Sequence, residues 1–360
     1  MALELTKGLA ARGFAVSFFA PEKSVTPISW QEWKEQIEMH PVLTMTSAIG
    51  IVISAYRILR ILTAQALCAI HLHFAFPTGL VALPLGLIKR LPIVVTSHGS
   101  DIQKSDIVAY GSRRKRIKSV LTRVILNHAA IHVVVSKAMV PDALAAGSSR
   151  EKIRVIYPGV RDAPMHRVRR PEALRALGIF PRDFVILFLG RMVAKKAPED
   201  LIKAAPIIIE NVRNAKIIIA GDGPELARLQ HLVADSGLGD RVKFPGKITD
   251  ADKGMLLDRC NVFVIPSIVE GTPHALLEAL AFGKPVVATN IPSFVEILSH
   301  RKDAILVPVQ SPEKLADAVI QTAKKIRRIS RAPRQINTFN IDRMVESYIK
   351  VYEEVTKASS

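Results

Sequence analysis

Two doubly wound α/β domains, facing each other across an interdomain cleft, are the architecture this sequence predicts. Three observations carry the prediction. Helix-length and strand-length segments alternate with little else between them, which is the mark of parallel sheets covered by helices on both faces. The strands read as short continuous apolar runs rather than as alternating apolar and polar residues. The whole series then restarts after a basic, proline-containing stretch near the middle of the 360 residues.

The elements follow in order. Met1 to Ala11 reads as a helix with Leu3, Leu5 and Leu9 among its apolar positions, closed by Arg12-Gly13. Phe14 to Ala20 reads as a buried strand, and Pro21 to Pro41 as irregular and polar. Further strands are expected at Leu67–Phe74, Ile93–Ser97, Ile131–Ser136 and Lys152–Tyr157. Pro158-Gly159 and the residues up to Pro171 form the expected linker. The second series has strands at Phe184–Leu189, Ala215–Ala220, Val242–Phe244, Val262–Pro266, Val286–Thr289 and Ala304–Val307. A last helix through Phe339–Val355 carries Ile341, Met344, Val345, Tyr348 and Tyr352 at helical spacing. The expected domains are therefore 1–160 and 161–335, with 336–360 packing back towards the first.

Composition bounds the function. With 49% apolar residues and 23% charged, the chain can bury two cores. Cys68 and Cys260 are far apart in apolar stretches, which suits buried thiols in a reducing compartment rather than a disulfide framework. The net charge of +18 points to anionic partners. Nucleic acid is not expected among them, because aromatics are scarce and no recognition motif accompanies the charge. The most apolar run, Met45–Tyr56, is short of a membrane span and is followed by Arg57 and Arg60. The expected location is cytoplasmic, with peripheral contact to the inner face of the cytoplasmic membrane.

The most informative segment runs from Pro266 to Pro285. A buried strand ends, a short loop carries Glu270, and Thr272-Pro273 reads as N-cap and first residue of a helix that Gly283 terminates. Exposed N–H groups at such a helix start attract anions. Glu278 follows two turns later, so one carboxylate near sugar hydroxyls and one near a ribose fit this arrangement. A lone glutamate pair would read as an acidic cap and a surface residue; the surrounding strand–loop–helix pattern favours the functional reading. His98 directly follows a buried strand and precedes Gly99, which places it at a crevice edge, and Asp101 is placed to cap the next turn. His71 and His73 are read as structural and as facing opposite sides of their strand.

The Glu270–Glu278 segment resembles the Glu-x7-Glu motif of retaining glycosyltransferase family 4, whose members adopt the GT-B fold of two Rossmann-like domains. Other segments match in order. Gly190-Arg191 with Lys196 resembles the phosphate-binding pair, Ala220-Gly-Asp222-Gly223-Pro the second-domain loop, and Phe244-Pro-Gly-Lys247-Ile248 the base-binding turn. In the first half the matching segments are His71-Leu-His73, Thr96-Ser-His98-Gly-Ser-Asp101, Val135-Ser136 and Val155-Ile-Tyr-Pro-Gly159-Val.

The resemblance implies a metal-independent, retaining transfer from a nucleoside-diphosphate sugar, UDP- or GDP-linked, to a lipid-linked or saccharide acceptor, with no cofactor. His98, Glu270, Arg191 and Lys196 are the implied catalytic residues. The implied donor-binding residues are Gly190, Asp222, Gly223, Lys247, Ile248, Gly271, Thr272, Pro273, His274, Leu276 and Glu278, with Asp101 and Ser136 on the acceptor side.

Two departures from the pattern stand out. Family members begin with a strand and a glycine-rich turn before the first helix, and the sequence given starts within that helix; missing that strand, the first sheet is expected to have exposed edges. Ala197 stands where a glycine is usual. Rival readings are a nucleotide-sugar epimerase of the same fold and a non-catalytic or truncated nucleotide-sugar-binding homologue. Finally, residues 113–125 crowd cations beside an apolar stripe of Ile117, Val120, Leu121, Val124 and Ile125. This reads either as a solvated face or as a dock for anionic membrane, where each nearby cation contributes ~1 kcal/mol.

Overall fold

A computed structural model describes residues 1–21, 37–42, 53, 56, 58–60, 67–161, 170–298, 304–325 and 337–358. The chain divides into two compact units, Met1–Gly159 with Asn337–Ser360, and Val160–Ile336.

In the first unit, α1 (Ala2–Ala10) leads into β1 (Val16–Pro21), which pairs in parallel with β2 (Ile37–Val42). A separate four-stranded parallel sheet follows in the order β3 (Ile70–His73), β4 (Ile93–Ser97), β5 (Ile131–Val134), β6 (Ile153–Val155). Its crossovers are α2 (Gly79–Lys89), α3 (Arg116–His128) and α4 (Val140–Ala146). Among the described residues β1 pairs only with β2, and β3 only with β4, so each presents one edge without a strand partner. The C-terminal helix, Ile341–Lys357, packs Met344, Val345, Tyr348, Val351 and Val355 with Leu5 and Leu9 of α1 and with Val94, Ile131 and Val133 of the sheet.

β2 lies in a stretch that the sequence presents as irregular. It is an edge strand containing Pro41, and Pro is confined to such edges because it cannot donate to a ladder. Ile37 is nonetheless buried. The Met45–Tyr56 run lies outside the described residues except for Ile53 and Tyr56, both exposed. So does residues 162–169 of the expected linker.

In the second unit, α5 (Pro171–Ala176) precedes six strands: β7 (Phe184–Leu189), β8 (Ala215–Ala220), β9 (Val242–Gly246), β10 (Val262–Ile265), β11 (Val286–Thr289) and β12 (Ala304–Val307). They form one parallel sheet in the order β12-β11-β10-β7-β8-β9. The connecting helices are α6 (Pro198–Asn211), α7 (Leu226–Asp235), α8 (Asp250–Arg259), α9 (His274–Ala281) and α10 (Pro292–Leu298), and α11 (Pro312–Lys325) follows β12. Both faces of the sheet are covered: Ile186, Phe188, Ile217 and Ile219 face α6 and α11, while Val185, Leu187, Ile218 and Phe263 face α8 and α9. The chain runs outward from β7 to β9, then returns to the centre at β10. β7 and β10 therefore meet at the point where strand order reverses, and ligands of open parallel sheets bind beyond the carboxyl ends of such strands.

α3 turns a different face inward than its apolar stripe suggested. Thr122, Ile125 and Leu126 are buried, whereas Ile117 and Val120 are 76% and 60% exposed and Val124 is also exposed. Among the described residues, no helix is long and apolar enough to cross a membrane.

Candidate functional site

The reversal point of the second unit gathers charge. The loop after β7 brings up Arg191, Lys195 and Lys196, and the loop after β10 brings Glu270, whose side chain is almost fully buried. Lys195 Nζ lies 3.2 Å from Glu270 Oε2, and Lys196 Nζ lies 2.5 Å from Oε1. The backbone joins the same loops, since the Ile268 N–H donates to the Lys195 carbonyl at 2.8 Å. Burial pushes the Glu270 carboxyl up, but Lys196 and then Lys195 outweigh it and hold it below the usual carboxylate range. Lys195 is pushed down by burial, against the attraction of Glu270 and with further repulsion from Lys196 and Arg191. Two lysines thus face one buried carboxylate, and the exposed Arg191 on the same loop adds a third cation that opposes the Lys195 charge. The surplus positive charge sits in a partly desolvated setting, where an anion is bound most strongly.

The loop after β8 is interlocked with this one. Gly190 N–H donates to Ala220 O, Met192 N–H to Asp222 O and Glu225 N–H to Met192 O, at 2.9–3.0 Å. The approach is so close that a Cβ on Gly221 would stand 1.9 Å from the Gly190 carbonyl oxygen, and one on Gly223 2.5 Å from that of Met192. Both glycines also have positive φ, so the tight turn admits no side chain. Asp222 folds back on itself, accepting the Gly223 N–H at 2.7 Å. Lys247 is exposed and Ile248 half-buried just past β9.

The helix after Glu270 begins one residue later than the sequence suggested. α9 starts at His274 with Pro273 at the N-cap, in extended conformation and without a side-chain cap. Gly271, Thr272 and Pro273 are buried in the loop and His274 is half-buried. Leu276 is fully buried in the core beneath the helix. Glu278 meets Lys253 of α8 at 2.7 Å. Burial works against the Lys253 charge, but Glu278 and Asp250 outweigh it and raise its pKa. Lys195 and Lys253 were both missed in the sequence. Their partners come from other elements, and among 50 lysines and arginines no local pattern distinguishes them.

The first unit offers a network of another kind. His98 follows β4, and its Nε2 lies 2.9 Å from His73 Nδ1 at the end of β3. Its ring centroid lies 5.2 Å from that of His73 and 4.8 Å from that of Phe74. Phe74 holds φ +77°, a costly conformation for a bulky residue that positions its ring against His98. His71 and His73 share a face, as alternate residues of a strand must, with ring centroids 4.6 Å apart. His71 bridges Tyr352 Oη at 2.7 Å and Thr96 Oγ1 at 2.8 Å, and Tyr348 Oη lies 2.9 Å from Thr96 Oγ1. Burial lowers His98 to about 4 and His71 to about 3, so these rings are neutral at neutral pH.

Asp101 and Ser136, expected to face an acceptor, are buried. Asp101 Oδ2 accepts from the Ala75 N–H at 3.0 Å and from Ser97 Oγ at 2.7 Å, tying the loop after β3 to β4. Burial raises its pKa, with the Ser97 and Ala75 hydrogen bonds opposing. Asp101 therefore ties two elements of the unit together, while the buried Ser136 Oγ has no hydrogen-bond partner among the described residues. Among the described residues, no group of three or more His, Cys, Asp or Glu is placed to hold a metal ion.

Comparison with known proteins places these features in context. Residues 1–163 match the family described as Glycosyltransferase Family 4, and residues 169–332 that described as Glycosyl transferases group 1. An uncharacterised glycosyltransferase of Methanocaldococcus jannaschii is 30% identical over 253 residues, 69% of this chain and 64% of its own length, so this chain spans less than two thirds of that relative. N-acetyl-alpha-D-glucosaminyl L-malate synthase of Bacillus anthracis is 24% identical over 366 residues, covering 98% of this chain and 93% of the synthase. The crystal structure of Anabaena HepE with UDP and glucose superposes with a TM-score of 0.79 at 19% identity, over 98% of this chain and 95% of that one. At that identity the likeness is one of fold, and the fold is GT-B.

Proposed function

The chain belongs to glycosyltransferase family 4, the glycosyl transferases group 1, and from that premise we propose that it moves a sugar from a nucleoside-diphosphate donor to an acceptor hydroxyl with retention and without a metal ion. In this reaction the bond between the anomeric carbon and a diphosphate oxygen breaks. The acceptor oxygen bonds to the same face of that carbon, and its proton passes to the departing diphosphate. Negative charge grows on the diphosphate as the bond opens, and preorganised cations favour that moment over the ground state. Arg191, Lys195 and Lys196 are the groups for it, and the convergence of the two lysines on the buried Glu270 carboxylate, with Arg191 on the same loop, is the observation that carries the reading.

Glu270, fixed by two lysines, orients the sugar hydroxyls, and Glu278, held by Lys253, the ribose. Gly190, Asp222 and Gly223 line the nucleotide pocket, Gly271 to His274 surround the diphosphate, and Lys247 and Ile248 meet the base. His98 donates a hydrogen bond to an oxygen of the sugar or diphosphate. The neighbour in fold solved with UDP and glucose fits a UDP-linked donor.

Titration calorimetry with UDP- and GDP-sugars tests this. Arg191→Ala with Lys196→Ala removes two charge-assisted contacts and is expected to weaken donor binding by ~100-fold or more; unchanged affinity for every sugar nucleotide overturns the assignment. The product's anomeric configuration by NMR reports on retention, and activity after chelation on metal independence. An isomerised sugar would instead indicate an epimerase, and binding without turnover a non-catalytic protein.

A lipid-linked acceptor is the finer part of the proposal. Exposed Ile117, Val120 and Val124 on α3 lie among Arg113, Arg114, Lys115, Arg116, Lys118 and Arg123, a surface suited to an anionic bilayer. Sedimentation with anionic vesicles is expected for the native chain and lost on Ile117→Asp with Val120→Asp. Equal binding to neutral vesicles counts against it.

A further inference from the structure

We propose that His73 is a positioning residue for transfer: it donates its Nδ1 proton to His98 Nε2 and thereby fixes His98 in the tautomer whose Nδ1–H faces the ligand. The inference rests on the hydrogen-bonding role given to His98 above, and deepens it.

The argument begins with a proton count. His73 Nδ1 and His98 Nε2 are 2.9 Å apart, so one hydrogen occupies the space between them. Burial lowers His98 to about 4 and pushes His73 well below its ordinary value, with His71 adding to the effect on His73. Each ring then carries a single N–H, and one donates while the other accepts. If His98 donates, its outward nitrogen is a bare lone pair that repels the oxygens of a sugar or a diphosphate. If His73 donates, His98 keeps its hydrogen on Nδ1 and offers a donor to those same oxygens. Only the second arrangement gives His98 a use beside an oxygen-rich, anionic ligand.

The surroundings hold the pair in place. The His73 ring meets His98 edge to edge through the hydrogen bond and the Phe74 ring, on a residue at φ +77°, packs beside it at 4.8 Å, which limits rotation of the His98 ring. His73 is braced by the His71 ring at 4.6 Å, and His71 is fixed at both nitrogens by Tyr352 and Thr96. The line of contacts runs from the C-terminal helix through β3 to His98, entirely within the first unit. A hydrogen-bonded partner that sets the tautomer of a working histidine is a general device, because the second nitrogen's role follows from the first.

The test is made on the full chain, with 15N-labelled histidine and two-bond 1H–15N correlation spectra, assigning His98 by the signal lost in His98→Ala. In the native protein His98 is expected as the Nδ1–H tautomer. His73→Ala should release it toward the Nε2–H form and lower kcat by about 100-fold, the scale of one lost preorganised donor, with KM for the donor changing little. His73→Asn, whose amide can donate from nearly the same place, should restore the tautomer and most of kcat. A native His98 found as Nε2–H, or a tautomer that His73→Ala leaves unchanged, overturns the proposal. Should His73→Ala fail to fold, the native and His73→Asn spectra alone decide it. If His98→Ala leaves transfer unaffected, the role of His98 itself is wrong, and the spectra still report separately on whether His73 sets its tautomer.

Discussion

The two units gather polar side chains in opposite ways. The second gathers ionised groups, two lysines about the buried Glu270 carboxylate with Arg191 on the same loop, where adjacent loops interlock through their backbones. The first gathers neutral ones, His71, His73 and His98 with two tyrosines and a threonine, in a network where burial has removed the charge. A charged pocket favours an anion and tolerates little misplacement. A neutral one can discriminate hydroxyls without drawing in counter-ions.

The largest effect should follow from disturbing the charged side. Glu270→Gln removes the carboxylate that pairs with Lys195 and Lys196 while keeping its shape. Transfer is expected to fall by ~100- to 1,000-fold, as for loss of a preorganised electrostatic group. Affinity for free UDP should rise, because the lysines lose their competing partner. Parallel loss of UDP affinity would mean that Glu270 merely supports the fold.

Acid separates the two units next. The folded values of His98 and His132 lie near 4 because of burial, below the unfolded value of about 6.5. Between those values the unfolded state binds protons that the folded state refuses. Stability is therefore complete above pH 6.5 and lost as pH falls toward 4, on the order of 3 kcal/mol for each ring. His71 adds in the same direction. Asp101 and Asp142, raised by burial, work in the opposite sense, but two carboxyls against four imidazoles, His73 included, leave the sign unchanged. Glu270 has a depressed pKa, so its contribution persists until pH falls below the ordinary carboxylate range. Hydrogen-exchange protection, corrected for intrinsic pH dependence, should therefore decline in first-unit peptides between pH 6.5 and 5 while second-unit peptides hold. Simultaneous loss in both would erase the contrast.

Backbone interlock in the second unit gives a smaller but sharper test. Gly221→Ala drives a Cβ to 1.9 Å from a carbonyl oxygen at a residue with φ +137°. Overpacking and backbone strain together should cost about 3 kcal/mol, read as a lower Tm with donor binding impaired. A Tm unchanged from native would show that the loops part more easily than their geometry implies.

How much of this was legible depended on how far each feature was local. Ile93–Ser97, Phe184–Leu189, Ala215–Ala220, Val286–Thr289 and Ala304–Val307 appear at the bounds read from sequence, because strands covered on both faces are unbroken apolar runs. β2 was hidden by its edge position and Pro41. Glu270 and Glu278 stood out by spacing on one segment, whereas Lys195, Lys253 and His73 gain their meaning only from a partner on another element. The exposed face of α3 was unreadable for a related reason. Its stripe could be identified from spacing, but which side the sheet would cover depended on neighbours far along the chain.

Ala197 supplies the smallest effect. It sits at φ +46°, ψ +46°, between the Lys195–Lys196 turn and Pro198 at the start of α6. An L-residue in this left-handed region costs about 1–2 kcal/mol. Glycine relieves that cost but gives up about 0.5–1 kcal/mol in unfolded-state entropy and, because Ala197 is buried, about 0.8 kcal/mol of methyl burial. Ala197→Gly should therefore leave stability within about 0.5 kcal/mol of native, a Tm shift of no more than about 2 °C for a unit of this size. The same exchange at Ala204, buried within α6, should cost about 1 kcal/mol or more, since there glycine loses the entropy and the methyl with no strain to relieve. A clearly smaller loss at Ala197 than at Ala204, seven residues on, would show that the turn carrying Lys195 and Lys196 is held under strain. Equal losses would mean that it rests in an ordinary conformation, leaving packing alone to position the two lysines against Glu270.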